Sequence, residues 1–203
     1  MEKYDVIIVG SGPAAMGAAF SLLESGKKCS ILMLDKTPYS TGGMRNDCKM
    51  NFTFPIGFPL EYWEENTANH YLEKVTAFLK PTILPKSNIE TYQKRAERLG
   101  CSLLEIKQTH LGTDGGLQLI KELQKKLSDA GVTLALGETV TGIDNVNKFI
   151  TTDKREIGYK NILIAPGRQG FHFLQEIMKA LGVNYIDNVV DVGIRVETRI
   201  EHY

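Results

Sequence analysis

Gly10, Gly12 and Ala15 fill the spacing G-x-G-x-x-G/A within "VGSGPAA", between an apolar run and a stretch of small residues. Each position suits a pyrophosphate. The first glycine permits a tight turn, the second lets a diphosphate approach the backbone, and the small third residue lets a helix pack closely on a strand. A helix starting there presents unpaired N–H groups and its positive dipole end to phosphate oxygens. Pro13 is tolerated in such a first turn. Asp35 ends the next apolar run about 20 residues beyond Ala15, where a carboxylate can accept hydrogen bonds from ribose hydroxyls and disfavours a 2′-phosphate. On these residues alone, FAD and NAD are both open.

The elements that must position these residues follow from periodicity. Tyr4 to Val9 is a short continuous apolar run, as in a strand buried on both faces of a parallel sheet. Pro13 to Ser25 reads as a helix stopped by Gly26, and Cys29 to Leu34 as the next strand, which makes a βαβ unit. Residues 37–59 are rich in Gly, Pro, Asn, Thr and Ser, and read as a long loop of the functional kind. Helices are expected over Tyr62 to Leu79 and Ser87 to Leu99, the second with Ser87 and Glu90 in capping-box spacing.

Further along, Ser102 to Gln108 is an expected strand, and Asp114 is placed to cap a helix from about Gly115 to Ala130. The apolar stripe of that helix is Leu117, Ile120, Leu123 and Leu127. Val132 to Leu136, Glu138 to Asp144, Lys148 to Asp153 and Glu156 to Ala165 read as strands. Phe171 to Leu181 reads as a helix and Val189 to Val196 as a strand. The expected fold is α/β: a Rossmann-like domain with a parallel sheet from 1–50 and 101–190, a helical insertion at 51–100, a small antiparallel β-meander, and the start of a second domain at 191–203.

Composition narrows the partners. The chain has 203 residues, with 24 Lys and Arg against 24 Asp and Glu, so it carries no long-range field that would draw nucleic acid or an anionic membrane. Cys29, Cys48 and Cys101 are far apart, without the spacing of a metal site or a disulfide framework, and no metal is expected. The first apolar run is short and lacks a basic leader, so a cytoplasmic protein is expected.

The stretches "DVIIVGSGPAAMGAA", "ILMLDK", "TGGMRNDCKMNF", "HLGTDGGLQLIKELQKKL", "GETVTGI" and "NILIAPGRQG" together resemble the flavoproteins of the glutathione reductase-like, two-dinucleotide-binding superfamily, and most of all its FAD-dependent dehydrogenase family. The resemblance implies that Gly10, Ser11, Gly12, Ala14 and Ala15 hold the FAD pyrophosphate and that Asp35 with Lys36 meets the adenosine ribose. It places Gly42, Gly43 and Arg45 near the phosphates, the Val140 backbone at adenine, and the turn of Ala165, Pro166 and Gly167 beside the cofactor. Pro166 stands where the family has a threonine. Relatives of this kind are about twice as long, so the chain is expected to be an N-terminal fragment holding the ADP half of the site, with "VVDVGIRVE" leading into the missing part.

The disulfide reductases of that superfamily carry a Cys-x4-Cys pair near Cys48. Here Cys48 has no resolving thiol nearby, which disfavours dithiol exchange and makes it a structural residue. His110 reads as a hydrogen-bonding loop residue rather than a general base, and Phe58, Tyr62 and Trp63 as packing for the inserted helices. No catalytic residue is assigned. The expected function is that of an FAD-dependent oxidoreductase acting on a small molecule, with NAD(P)H as a candidate electron donor. An NAD-dependent dehydrogenase and a non-catalytic dinucleotide-binding module are the alternatives. The Gly-rich loop and the "LIAPG" turn favour FAD.

Overall fold

The computed structural model describes residues 1–39, 44–45, 48–55, 60–186, 192–193 and 199. Val and Ile crowd β1 (Glu2–Val9), because this strand runs through the middle of the sheet and must bury both faces. Ile8 points into one apolar cluster, while Ile7 and Val9 point into another on the opposite face. Helix α1 (Pro13–Glu24) follows and stops at Gly26, whose φ is +70°. Strand β2 (Ile31–Asp35) then pairs in parallel with β1.

Six strands form the main sheet, in the order β5 (Thr133–Leu136), β2, β1, β8 (Glu156–Ile164), β7 (Phe149–Thr152), β6 (Val140–Asp144). The pairs from β5 to β8 are parallel, and those from β8 to β6 antiparallel. The expected meander is therefore continuous with the parallel sheet: β8 pairs with β7 through its first residues and with β1 along most of its length. On one face, Ala15, Met16 and Ala19 of α1 and Ile120, Leu123 and Leu127 of α4 (Gly112–Asp129) cover Ile8, Ile31 and Met33. On the other, Val140, Ile150 and Tyr159 of the meander pack with Ile7, Leu32 and Leu34.

The inserted segment is closed at its base by a second sheet, in which β3 (Lys49–Asn51) pairs antiparallel with β4 (Gln108–His110). Within it lie α2 (Glu65–Leu79), which buries only Ala68, and α3 (Ile89–Glu97), which buries no residue. Helix α2 leans on α1 through the Phe20 and Phe78 rings, 4.9 Å apart, and through a 2.6 Å Lys74–Glu24 ion pair. The Trp63 ring meets Tyr71 of α2 edge-on at 5.9 Å, whereas Tyr62 is exposed.

Several boundaries differ from the sequence expectations. Residues 102–107 form no strand: Leu103 and Leu104 are exposed, and without a partner strand an apolar run gains nothing from extending. The Ser87–Glu90 capping box is absent, because α3 starts after Asn88 in a left-handed conformation with no side-chain cap. Asp114 is not a cap. Helix α4 already begins at Gly112, and Asp114 sits in its first turn, where an acid still favours the dipole. The first inserted helix begins at Glu65 rather than Tyr62. Gly42, Gly43, Phe58 and most of the expected strand at 189–196 lie outside the described residues.

Candidate functional site

The register aligns the strand ends. Val9 pairs with Leu34 on one side and Ile164 on the other, and Asp35 pairs with Leu136. Parallel strands that end level leave a crevice at their carboxyl edge, the common place for a ligand in an open α/β sheet. Here it is a cavity of about 220 Å³ with walls from four segments: Val9 and Gly10, Leu34 to Lys36, Glu138 to Val140, and Pro166 with Gln169, Gly170 and Phe173. A second cavity of about 230 Å³ lies where α2 leans on α1, and gathers residues of those two helices only.

Gly10 closes the floor of the first cavity. Its N–H donates to the Leu34 carbonyl at 2.7 Å, and its φ of +108° is one that a side chain rarely permits. A Cβ there would lie 2.1 Å from the Ala165 carbonyl oxygen. Ala165 is itself tied to β1 by its N–H, which donates to the Val9 carbonyl at 2.8 Å. The turn after β8 is equally tight, since a Cβ on Gly170 would lie 2.3 Å from Pro166 Cβ.

Beside the cavity, Gly12 is the extended residue before α1 and Pro13 the first helical one. The first intrahelical donor is Met16, bonded to the Gly12 carbonyl at 2.9 Å. The N–H groups of Ala14 and Ala15 therefore have no acceptor inside the helix. No acidic residue stands in this first turn to compete with an anionic ligand. Ala15 is fully buried beneath the sheet, Gly12 is half-buried, and Ala14 is exposed.

Two acids face this region, and both are engaged. Glu138 is 5 % exposed at its side chain and meets Arg155 through Nε at 3.0 Å and Nη2 at 3.1 Å, while Thr152 donates to it at 2.8 Å. The hydrogen-bonded Arg155 guanidinium holds the Glu138 carboxyl below the usual carboxylate range. Asp35 accepts from the Ser11 N–H at 2.9 Å and hydroxyl at 2.7 Å and from the Thr37 N–H at 2.9 Å, while the Thr37 hydroxyl lies within hydrogen-bond distance of both Asp35, at 2.9 Å, and the Tyr39 carbonyl, at 2.7 Å.

No protein-family model matches the chain. An uncharacterized protein of Methanosarcina barkeri (strain Fusaro) is 27 % identical over 177 residues, which cover 84 % of this chain and 39 % of that protein. Among solved structures, a 3-ketosteroid-delta4-(5alpha)-dehydrogenase from Rhodococcus jostii RHA1 superposes with a TM-score of 0.53 at 15 % identity, over 88 % of this chain and 48 % of that one. An L-amino acid deaminase from Proteus vulgaris gives 0.52 at 14 %, covering 87 % and 50 %. NikD, an amino acid oxidase of nikkomycin biosynthesis, gives 0.50 at 18 %, covering 90 % and 55 %. The fold is Rossmann-like. The chain spans about half the length of these enzymes and 39 % of the Methanosarcina barkeri protein.

In this Rossmann-like frame, Gly10, Asp35, Lys36 and Val140 come together on the cavity wall, and Ala165 lies directly beneath Gly10. Gly12, Ala14 and Ala15 form the adjoining helix end. Ser11 is fully buried, and its N–H and hydroxyl donate to Asp35. Arg45 and Gly167 are not on the wall. The Arg45 backbone instead runs over Gly116 of α4, at 3.5 Å from the place of a Cβ. Cys48 is fully buried in the same contact. Glu138, Thr139, Gln169 and Phe173 were missed from sequence. The signal available for Phe173 was its place one helical turn after the strand-ending "APGRQG". Among the described residues, no helix is long and apolar enough to cross a membrane, and no cluster could hold a metal ion.

Proposed function

We propose that this chain grips the ADP part of FAD and belongs to an FAD-dependent oxidoreductase. The observation that carries the reading is the junction of the crevice at Val9, Leu34 and Val140 with the open N-terminus of α1 across the Gly10 turn. Adenosine fits the crevice, and the free N–H groups of Gly12, Ala14 and Ala15 suit a pyrophosphate. Gly10, Asp35, Lys36 and the Val140 backbone border the adenosine in this reading, and Ala165 supports Gly10 from below. Gly42, Gly43 and Arg45, from the long loop, are the family-derived candidates for the phosphate side. Bound FAD supplies the redox chemistry, taking up a hydride or electrons from a small-molecule substrate or a nicotinamide. The residues described here bind and orient the cofactor, and none is assigned as acid or base.

Absorbance and fluorescence test the reading. The purified protein should carry a flavin band or take up added FAD, with quenching of flavin fluorescence. Absence of both overturns it. Tight NADH binding without FAD binding would favour an NAD-dependent dehydrogenase, and dinucleotide binding without turnover by any electron donor would favour a binding module.

A further inference from the structure

We propose that the turn between β7 and β8 positions the edge of the crevice that reads adenine, with Asp153 as its principal positioning residue. This deepens the dinucleotide reading above and rests on it. Glu138, Thr139 and Val140 form one wall of the crevice, and Val140 stands opposite Thr152 at the start of β6. The Thr139 carbonyl accepts from the Asp153 N–H at 2.9 Å, so it points towards β7. The N–H of Val140 belongs to the same planar trans peptide and points the opposite way. Its carbonyl follows, because facing residues of an antiparallel pair turn both polar groups outward at alternate positions. Strand β6 is the outermost of its sheet, and among the described residues no strand lies beyond it. Val140 is left with one donor and one acceptor, the complement of N1 and the 6-amino group of adenine.

Three consecutive residues of the turn hold this wall in place, each by a different residue. The Asp153 carboxylate accepts from the Thr139 N–H at 2.9 Å, which fixes the peptide before the one that carries the Val140 N–H. Lys154 Nζ donates to the Gly137 carbonyl at 2.8 Å, and Arg155 grips the Glu138 carboxylate. From the other side, the Asp35 carbonyl accepts from the Gly137 and Glu138 N–H groups at 2.8 and 3.0 Å. Asp153 alone binds Thr139 through both main chain and side chain. Its loss frees the chain directly before Val140, while the apolar surface of the crevice stays as it is.

The test compares ADP with IDP, which differ only in the base. Both are titrated against the 203-residue chain and its Asp153→Ala, Asp153→Asn and Lys154→Ala variants. The wild type should prefer ADP by about tenfold or more, because hypoxanthine sets donor against donor at N1 and acceptor against acceptor at position 6. Asp153→Ala should weaken ADP by about tenfold and IDP by less than about twofold, so that the preference collapses. Asp153→Asn keeps an oxygen for the Thr139 N–H and should restore most of the preference. The proposal is overturned if Asp153→Ala weakens both ligands equally or neither, or if the wild type binds ADP and IDP alike. Should Asp153→Ala not fold, Lys154→Ala removes only an exposed side chain and must itself lower the preference; an unchanged preference there overturns the proposal. A wild-type chain that binds neither ADP nor FAD sinks the dinucleotide reading instead. The clamp is then judged without ligand: the Thr139 amide should exchange with solvent faster in Asp153→Ala than in the wild type, and equal rates overturn it.

Discussion

Gly10 and Ala165 meet backbone to backbone, so closely that a Cβ on Gly10 would lie 2.1 Å from the Ala165 carbonyl oxygen. The first glycine of the fingerprint is thus required for packing β1 against the turn after β8, as well as for its φ of +108°. Gly10→Ala is expected to lower stability by about 2 kcal/mol or more, from strained backbone alone before the clash is added. Chemical denaturation measures this. Ala165→Gly should not rescue it, because the obstacle is a main-chain oxygen.

Two helical glycines should respond in opposite directions to the same substitution. Gly17 in α1 has open space where a Cβ would go, so Gly17→Ala should stabilise by about 0.5–1 kcal/mol through helix propensity. In α4, a Cβ on Gly116 would lie 2.5 Å from the Met44 carbonyl oxygen and 2.8 Å from Cys48 Cβ. Gly116→Ala should destabilise by about 1–3 kcal/mol, because helix and loop must separate. Thermal unfolding of the pair checks both signs. Equal shifts in the same direction would contradict the close approach of Met44 and Cys48 to α4.

What was legible in the sequence follows from the range of the forces involved. The runs around Ile7 and Leu32 announced adjacent parallel strands because a strand covered on both faces must be apolar throughout. Small residues at Gly10, Gly12 and Ala15 announced a close turn, and the structure leaves no room for a Cβ at Gly10 and buries Ala15 fully. The bonding of Asp35 to Ser11 was not legible, since it depends on the register that sets Val9 beside Leu34, not on spacing along the chain. Phe173 was hidden for the same reason: it reaches the cavity only because β8 returns beside β1. Local patterns misled where long-range partners were missing, as at Leu103 and Leu104, or where the backbone chose another start, as at Asn88.

The Glu138–Arg155 pair predicts an acid-sensitive contribution to stability. Glu138 is depressed in the folded state by its bonds to Arg155, so its contribution is present above the ordinary carboxyl range and disappears as pH falls through the depressed value. Arg155→Ala leaves a nearly buried carboxylate without its cation. The expected cost at pH 7 is about 2 kcal/mol, below that of a fully buried pair because Arg155 is 39 % exposed. Urea denaturation should show the difference between wild type and variant shrinking as pH is lowered into the acid range. A difference independent of pH would mean that Arg155 acts through packing of its stem.

Phe173 gives the last test, and the one that separates the crevice from the Gly-rich turn. Its ring is half-buried against the cluster containing Val9, Leu34 and Val140, and it faces the cavity from α5 (Phe171–Ala180). An aromatic ring lining the same cavity as Val140 suits an adenine ring through apolar contact and offset stacking. Phe173→Ala should weaken adenosine, ADP and FAD alike, by roughly tenfold, because the lost surface meets the base that all three share. The fold should lose only about 1–2 kcal/mol, less than for a fully buried phenylalanine. Phe173→Leu, which keeps an apolar wall but removes the ring face, should fall between the two. If Phe173→Ala leaves adenosine affinity unchanged while the protein stays folded, the base does not lie against Phe173, and the cavity holds another part of the ligand.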